Sequence, residues 1–419
     1  MLIIYGKGKT GYAVKELADS LKIENTLVDD TDFNENLLKS AKKIVVSPGV
    51  PFNHRIYKLA KKHNIDIEGE IEFANKYFNG DIIAITGTDG KSTTTKMIHH
   101  LIGEENASIG GNYGIPFSEI VLKEPNKDAV LELSSFQIYS TKNLKPKIAV
   151  FLNISTDHLD WHKKFCHYKL SKYKLFKNMD NNDIAILNYD NKDVRETPTV
   201  AKKYFFSLNK LPSDIKGAYF DGEKIVVQDD KNRFSVKLPK SIKGIHNIQN
   251  TMASVLTAYL YGVDKDTIEN RLESFKPLPF RMEYLGSING VDFYNDAKST
   301  TLQSLEMALK SFNGKRVHLI AGGINKGADF SKLNDLISKK VKKAVLIGRD
   351  RESIKNMLGN STEIVLRDSL KDAVLEALKE AKEGDVILFS PACASFDMFK
   401  NYIDRGEKFN QIFNELKNA

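Results

Sequence analysis

The segment Ile82-Ile83-Ala84-Ile85-Thr86-Gly87-Thr88-Asp89-Gly90-Lys91-Ser92-Thr93 constrains the fold more than any other part of the chain. A β-branched apolar strand runs straight into two glycines, a lysine and hydroxyls at the point where a helix should begin. That order describes a phosphate cradle: glycines let backbone N–H groups close on an anion, the helix N-terminus adds its dipole, Lys91 supplies a point charge, and Ser92 or Thr93 offers a hydroxyl to Mg²⁺. The ligand that suits it is a nucleoside triphosphate. Gly87 and Gly90 enclose only Thr88 and Asp89, so the loop is shorter than the full pattern, which has four residues between its glycines.

Short β-rich runs alternate with amphipathic helical patterns through most of the chain. The predicted strands are Leu2 to Tyr5, Lys43 to Ser47, Ile82 to Thr86, Ala129 to Leu133, Ile148 to Asn153, Val317 to Ala321, Ala344 to Ile347 and Val386 to Ser390. Such alternation predicts an α/β fold with parallel sheets covered by helices on both faces. From about Ala185 to Lys240 the texture turns to short, turn-rich segments, and Tyr219 to Val227 reads as a hairpin, so an antiparallel extension is expected on the middle unit. A length of 419 residues suits two or three cores. Boundaries are expected near Phe78-Asn79-Gly80 and at Lys276-Pro277-Leu278-Pro279, giving domains 1–79, 80–276 and 277–419.

Composition narrows the partners. The 62 basic and 54 acidic residues leave a net charge of +8, with lysines scattered through amphipathic segments rather than gathered in a tail, so nucleic acid is not implied. A modest positive excess suits a polyanionic small substrate. Cys166 and Cys393 stand far apart without a CxxC partner, which suggests neither a disulfide framework nor a zinc site. The N-terminus is a short strand broken by glycine, and no stretch approaches the ~20 apolar residues of a membrane span. A cytoplasmic protein without membrane insertion is expected, and a monomer.

In an open parallel sheet, ligands sit at the carboxyl ends of the strands, so polar residues there gain weight. Glu132, in Leu131-Glu132-Leu133-Ser134-Ser135-Phe136-Gln137, puts a carboxylate inside an apolar run and is placed to hold Mg²⁺ beside the loop. Asp157-His158-Leu159-Asp160 follows another buried-strand pattern and offers ligands for a cation or a substrate. Composition alone reads Lys169, Lys172 and Lys174 as the solvated face of a helix over Tyr168 to Phe176. His246-Asn247-Ile248-Gln249-Asn250 opens a small-residue helix with two amides on one face, suited to base or phosphate contacts, or to capping. Gly6-Lys7-Gly8-Lys9-Thr10-Gly11 after the first strand, with Asp29 and Asp30 about 20 residues on, fits a pyrophosphate on a helix N-terminus, a uridine diphosphate as readily as NAD. In the last third, Arg281 and Lys326 offer cations, Asp296 an acceptor for ribose hydroxyls, and Ser395 a donor to a carboxylate.

Taken together and in this order, these segments resemble the Mur ligases along nearly the whole chain. The shortened loop, Leu131 to Gln137, Asp157 to Asp160, His246-Asn247, Asn295-Asp296-Ala297-Lys298 and Ser390-Pro391-Ala392-Cys393-Ala394-Ser395 all look like signatures of that family. The last, extended to Asn401, resembles the branch that adds D-glutamate, and the Asp-Asn-Pro-Arg of the diamino-acid-adding branch is missing.

The resemblance implies an N-terminal Rossmann-like domain holding the UDP end of the substrate through Gly8, Lys9, Thr10, Asp30, Thr31, Ser47, Pro48 and Gly49. It implies a central P-loop ATPase domain, in which Gly87 to Thr93 and Asn250 bind ATP, while Asn112 and Gln137 face the muramoyl-alanine. Ser92, Glu132 and His158 would hold Mg²⁺, joined by Lys172 once carbamylated, a modification that turns the cation into a carboxylate-like ligand. A C-terminal Rossmann-like domain would close over both substrates. There Arg281 would meet ATP phosphate and Asp296 the ribose, and Thr300, Lys326, Ser395, Phe396 and Tyr402 would meet D-glutamate. Lys91, Glu132, His158, Lys172 and Arg281 would carry catalysis. The implied reaction is ATP-dependent addition of D-glutamate to UDP-N-acetylmuramoyl-L-alanine through an acyl phosphate, a step of peptidoglycan precursor synthesis. Two departures stand out: the family commonly carries Asn where Asp89 stands, and Asn where Thr301 follows Thr300. The rival readings are a folylpolyglutamate-synthase-like ligase, separable by offering folate, and a non-catalytic nucleotide-regulated binder, which leaves Glu132, His158 and Lys172 unexplained.

Overall fold

Three sheets of four, nine and six strands organise the chain. The computed structural model describes all residues except His158, Lys231, Lys240, Ser241, Lys243, Pro277, Asn313 and Ala419. Backbone contacts divide the chain into two units, one of Met1–Pro239 with Asn247–Phe275 and one of Lys240–His246 with Lys276–Ala419. The first unit contains the first two sheets.

The first sheet comprises β1 (Leu2–Tyr5), β2 (Asn25–Val28), β3 (Lys43–Val46) and β4 (Asp66–Gly69), all parallel, in the order β2-β1-β3-β4. The second holds β5 (Ile82–Thr86), β6 (Ala107–Gly111), β7 (Asp128–Glu132), β8 (Ile148–Phe151), β9 (Ile184–Asn188), β10 (Lys202–Ser207), β11 (Gly217–Phe220), β12 (Lys224–Gln228) and β13 (Arg233–Lys237). Their order is β13-β12-β11-β10-β9-β8-β5-β7-β6. Pairing is parallel from β6 to β11 and antiparallel between β11, β12 and β13, so the expected antiparallel extension is the outer margin of a continuous sheet. The β-branched and aliphatic runs of β5, β7 and β8 are buried on both sides, as parallel strands covered by helices require.

One apolar core serves both sheets, running from Leu2, Ile4 and Val14 through Ile71 and Phe73 to Phe117, Leu131 and Phe151. Buried acids of the short helix Glu70–Asn75 fasten this junction. Glu72 accepts from the backbone N–H groups of Lys142 (2.7 Å) and Asn143 (3.0 Å) and from Asn143 Nδ2 (2.8 Å). Glu70 accepts from Ser118 N at 2.6 Å, and burial pushes its carboxyl up to about 7.

The second unit is built on β14 (Glu283–Ile288), β15 (Val291–Asn295), β16 (Val317–Gly322), β17 (Val341–Ile347), β18 (Glu363–Leu366) and β19 (Val386–Phe389), ordered β14-β15-β19-β16-β17-β18. Only β14 runs antiparallel. Apolar clusters cover both faces, one including Leu305, Leu309 and Phe330 and the other Phe280, Phe409 and Phe413. Thr301 caps the helix Leu302–Lys310, its Oγ1 accepting from Ser304 N at 3.2 Å. Asn is an equally good cap, so this departure from the family pattern keeps the same local chemistry. Both cysteines are free thiols, Cys166 exposed and Cys393 buried. No helix among the described residues is long and apolar enough to cross a membrane.

Replacing Glu72 by alanine leaves two backbone amides and a side-chain amide without their acceptor. It is expected to lower unfolding free energy by about 2–4 kcal/mol, read as a shift in the urea midpoint.

Candidate active site

The register of the middle sheet brings three loops together. Ile85 lies opposite Glu132 of β7, and Thr86 opposite Phe151 of β8, so the chain leaves all three strands at one level. The helix Lys91–Ile102 begins at Gly90 with no side-chain cap, and so does Lys9–Ser20 at Gly8, whereas Ser135–Tyr139 is closed by a Ser134–Gln137 capping box. Uncapped first turns present their amides to a ligand. Gly90 has φ +81°, and a Cβ there would lie 2.3 Å from Asn250 Oδ1, so only glycine allows this loop to close on the helix Ile245–Tyr261.

Asn153, just past β8, braces the loop. Its Oδ1 accepts from Thr88 N (3.1 Å) and Asp89 N (2.9 Å), and its Nδ2 donates to Asp89 O (3.1 Å). The backbone of Asp89 is thus fixed on both sides while its side chain is exposed. Thr88 Oγ1 lies 3.1 Å from Tyr168 OH and accepts from Ser155 N at 3.1 Å.

Lys91 reaches back over the loop, its Nζ donating to the carbonyls of Gly87 (2.9 Å) and Thr88 (2.7 Å). Lys172 Nζ donates to the same Gly87 carbonyl at 2.8 Å and to Thr86 Oγ1 at 3.3 Å, with the Tyr168 ring 4.8 Å away. Lys172 is 1% exposed, which corrects the expectation of a solvated lysine face. The helix Phe165–Tyr173 instead turns Tyr168, Ser171 and Lys172 inward and leaves Leu170 59% exposed. Of the other two lysines in that expectation, Lys169 pairs with Asp193 at 2.8 Å and Lys174 donates to Tyr139 O at 2.6 Å. Burial, reinforced by the charge of Lys91, holds the Lys172 amine well below the usual lysine range. Two ammonium groups on one buried carbonyl oxygen would repel each other, and a neutral Lys172 relieves that.

Glu132 is buried beside them. Its Oε1 accepts from Asn112 Nδ2 at 2.6 Å, while its Oε2 is buried with no hydrogen-bond partner among the described residues. A buried carboxylate oxygen without a donor fits a hard cation, and Ser92, buried in the first turn of the helix Lys91–Ile102, offers a hydroxyl of the same hard-donor type. No cluster of three His, Cys, Asp or Glu side chains forms among the described residues. His158, expected as a further ligand, lies outside them. Gln137 Oε1 accepts from Ser134 N and Oγ, both at 3.0 Å, so this carbonyl works as a helix cap.

In the first sheet the strand order reverses between β1 and β3; the segment after β1 carries Gly8, Lys9 and Thr10, and the segment after β3 carries Ser47, Pro48 and Gly49. Ser47 Oγ donates to Gly6 O at 3.2 Å, and Lys9 Nζ to Gly114 O at 3.2 Å. Asp30 accepts from Tyr5 OH at 2.7 Å and stands 3.0 Å from His54 Nε2, and these partners hold its carboxyl below the usual range. Thr31 is turned to Asp29, its Oγ1 donating at 2.6 Å.

In the second unit the corresponding reversal lies between β19 and β16, where Ile324 and Ala394 exchange backbone hydrogen bonds of 3.0 and 3.1 Å. Ser395 is buried beside this bridge, Lys326 and Thr300 are exposed, and Phe396 is 69% exposed. Tyr402 is half-buried, its ring 5.0 Å from Lys298 Nζ. Asp296 is buried, accepting from Ser390 Oγ (2.8 Å) and Met282 N (3.2 Å), with the charges of Arg281 and Arg405 near it. Burial outweighs these partners and pushes its carboxyl up to about 7. Arg405, itself buried, joins the loop after β15 to the loop after β19 by donating to Ala297 O (2.6 Å) and Cys393 O (3.0 Å).

Sequence reasoning passed over Asn153, Tyr168 and Arg405. Asn153 follows a strand directly, and the strand-end rule applied residue by residue would have found it. Arg405 sits within the charged helix Tyr402–Asn418, where nothing distinguishes it from its neighbours.

Two family models match the chain, the Mur ligase middle domain over residues 85–258 and the Mur ligase glutamate ligase domain over residues 280–393. Curated relatives named UDP-N-acetylmuramoylalanine–D-glutamate ligase include one from Hydrogenobaculum sp. (strain Y04AAS1), 40% identical, with 100% of this chain and 99% of the relative aligned. Another, from Aquifex aeolicus (strain VF5), is also 40% identical and covers 98% and 97%. Among solved structures, a MurF ligase from Thermotoga maritima in complex with ADP superposes with a TM-score of 0.62 at 18% identity, covering 100% of this chain and 95% of that one. A pseudomurein peptide ligase type C from Methanothermus fervidus gives 0.64 at 16%, covering 99% and 100%. These structures share this chain's fold.

Asp296 binds its proton in the native state up to about pH 7 but in the unfolded chain only to 3.8, so its burial costs stability progressively as pH rises between those values. Asp296→Asn removes that cost while keeping the packing. Its urea midpoint is expected to exceed the parent's at pH 8, with the difference shrinking towards pH 4.

Proposed function

We propose that this chain, which belongs to the Mur ligase family, joins D-glutamate to UDP-N-acetylmuramoyl-L-alanine, with cleavage of ATP to ADP and phosphate. The family is ATP-dependent, and the observation that most supports the reading here is the convergence of Lys91 and Lys172 on the Gly87 carbonyl, with Glu132 in register with Ile85 just before that loop. The L-alanyl carboxylate oxygen attacks the γ-phosphorus and ADP leaves. The amine of D-glutamate then attacks the acyl carbon, a C–N bond forms, the C–O bond to phosphate breaks, and the nitrogen loses a proton.

Phosphoryl transfer needs chiefly positioning and neutralisation of charge. The first-turn amides of the helix Lys91–Ile102 and the Lys91 ammonium bind the phosphates. The Lys172 amine, held by burial below its usual range, would add to CO₂ and shed a proton, giving a carbamate. Ser92, Glu132, His158 and that carbamate would hold Mg²⁺, which would supply positive charge to offset that of the phosphates. Arg281 and Asp296 are assigned to the nucleotide, and Asn250, packed on Gly90, to the adenine side. Gly8, Lys9, Thr10, Asp30, Thr31 and Ser47 to Gly49 take the uridine diphosphate, and Asn112 and Gln137 the muramoyl-alanine end. Thr300, Lys326, Ser395, Phe396 and Tyr402 take D-glutamate. A monomer working in the cytoplasm, where its nucleotide substrates are found, completes the proposal.

Purified protein supplied with ATP and UDP-N-acetylmuramoyl-L-alanine is expected to release phosphate only when D-glutamate is added. Turnover with L-alanine or a diamino acid in its place would defeat the acceptor assignment. Lys172→Ala is expected to lower kcat by about 10²-fold or more, with partial recovery in millimolar acetate or formate, since those ions restore a carboxylate to the cavity.

A further inference from the structure

The amino-acid site of the second unit is assembled from two loops, one after β16 carrying Lys326 and one after β19 carrying Ser395 and Phe396. The turn after β17, Gly348-Arg349-Asp350, is bonded to both. Asp350 Oδ2 accepts from the backbone N–H of Asn325, the residue before Lys326, at 2.8 Å, and Asp350 N donates to Gly323 O at 3.2 Å. The same carboxylate takes Nε and Nη2 of Arg349, each at 3.1 Å. On the other side, Arg349 N donates to Asp397 Oδ2 at 2.7 Å, two residues beyond Ser395. The turn is shaped for that approach: Gly348 has φ +82°, and a Cβ there would lie 2.6 Å from Asp397 Oδ2. A crevice of about 480 Å³ opens where Asn325, Gly327, Arg349 and Asp350 meet, so the clamp borders open space.

We propose that Asp350 is a positioning residue for the amino-acid substrate, holding the Lys326 loop at a set distance from the Ser395–Phe396 loop. D-glutamate carries two carboxylates joined by a short chain, and a cation and a hydroxyl on separate loops can meet both at once only if the loops are kept in register. Asp350 does this through the Asn325 amide, and Asp397 carries the register across through the Arg349 backbone. The inference rests on the reading of Lys326 and Ser395 as contacts of D-glutamate.

Steady-state kinetics on the full chain test it. Asp350→Ala is expected to raise KM for D-glutamate about tenfold or more, with kcat within about threefold and the KM values for ATP and the UDP substrate within about twofold of the parent. Asp350→Asn keeps an oxygen for the Asn325 amide and should recover most of the loss, which also keeps the test alive if the alanine variant fails to fold. Arg349→Ala leaves that oxygen in place and should raise KM by less than about threefold. An unchanged KM in Asp350→Ala, a loss shared equally by all three substrates, or a larger effect in Arg349→Ala each overturns the proposal. A parent that turns over with a different amino acid overturns the functional reading alone, and the same split, measured on that amino acid, still decides the role of Asp350.

Discussion

The parallel register of β5 with β7 and β8 is the constraint on which the rest of the first unit depends. It sends the loop Gly87–Gly90, the segment after Glu132 and the segment after Phe151 out of the sheet at one level. Each then supplies what the others lack: amides and Lys91 from the first, a carboxylate from the second, and the bracing amide of Asn153 from the third. A slip of one residue would turn Glu132 to the opposite face and take Asn153 away from the loop. The strands that hold this register are buried and largely apolar along their length.

Around that frame the protein places charges where burial opposes them. Among the described residues, Lys172 lies under the loop with its amine depressed, Glu132 keeps one oxygen without a donor, Asp296 has its carboxyl raised by burial, and Arg405 is enclosed and donates to the carbonyls of Ala297 and Cys393. Each arrangement is costly in the protein alone, because burial penalises a charge or an unsatisfied polar atom. Asp89 shows the opposite case. Its backbone is fixed by Asn153, but its side chain is exposed, so the acid in place of the family's usual Asn adds charge near the loop without disturbing the loop's geometry.

Much of the fold was legible in the chain. The alternation of β-branched runs and amphipathic segments placed the principal parallel strands close to where they occur, and the glycine, lysine and hydroxyl sequence after β5 marked an uncapped helix start. The edges were harder to read: β2, β4, β6 and β18 are short or only partly apolar, and their pairing supplies the order that their composition does not. Polar residues at or beyond strand ends, such as Glu132 and Ser395, could be singled out as candidates from the sequence. The burial of Lys172 was illegible in composition, because the helix Phe165–Tyr173 reverses the usual pattern, with a leucine outward and a lysine inward.

The sequence alone determined the class of fold and the chemistry available to it, since hydrophobic period and glycine placement act over a few residues and are written locally. Tertiary structure decided which lysine amine is held below its usual range, which carboxylate oxygen is left without a donor among the described residues, and which aspartate binds the amide before Lys326. Those properties arise from burial and from partners up to about a hundred residues away in the chain. A pKa or a hydrogen-bond deficit belongs to a surrounding, and no surrounding exists until the strands have paired.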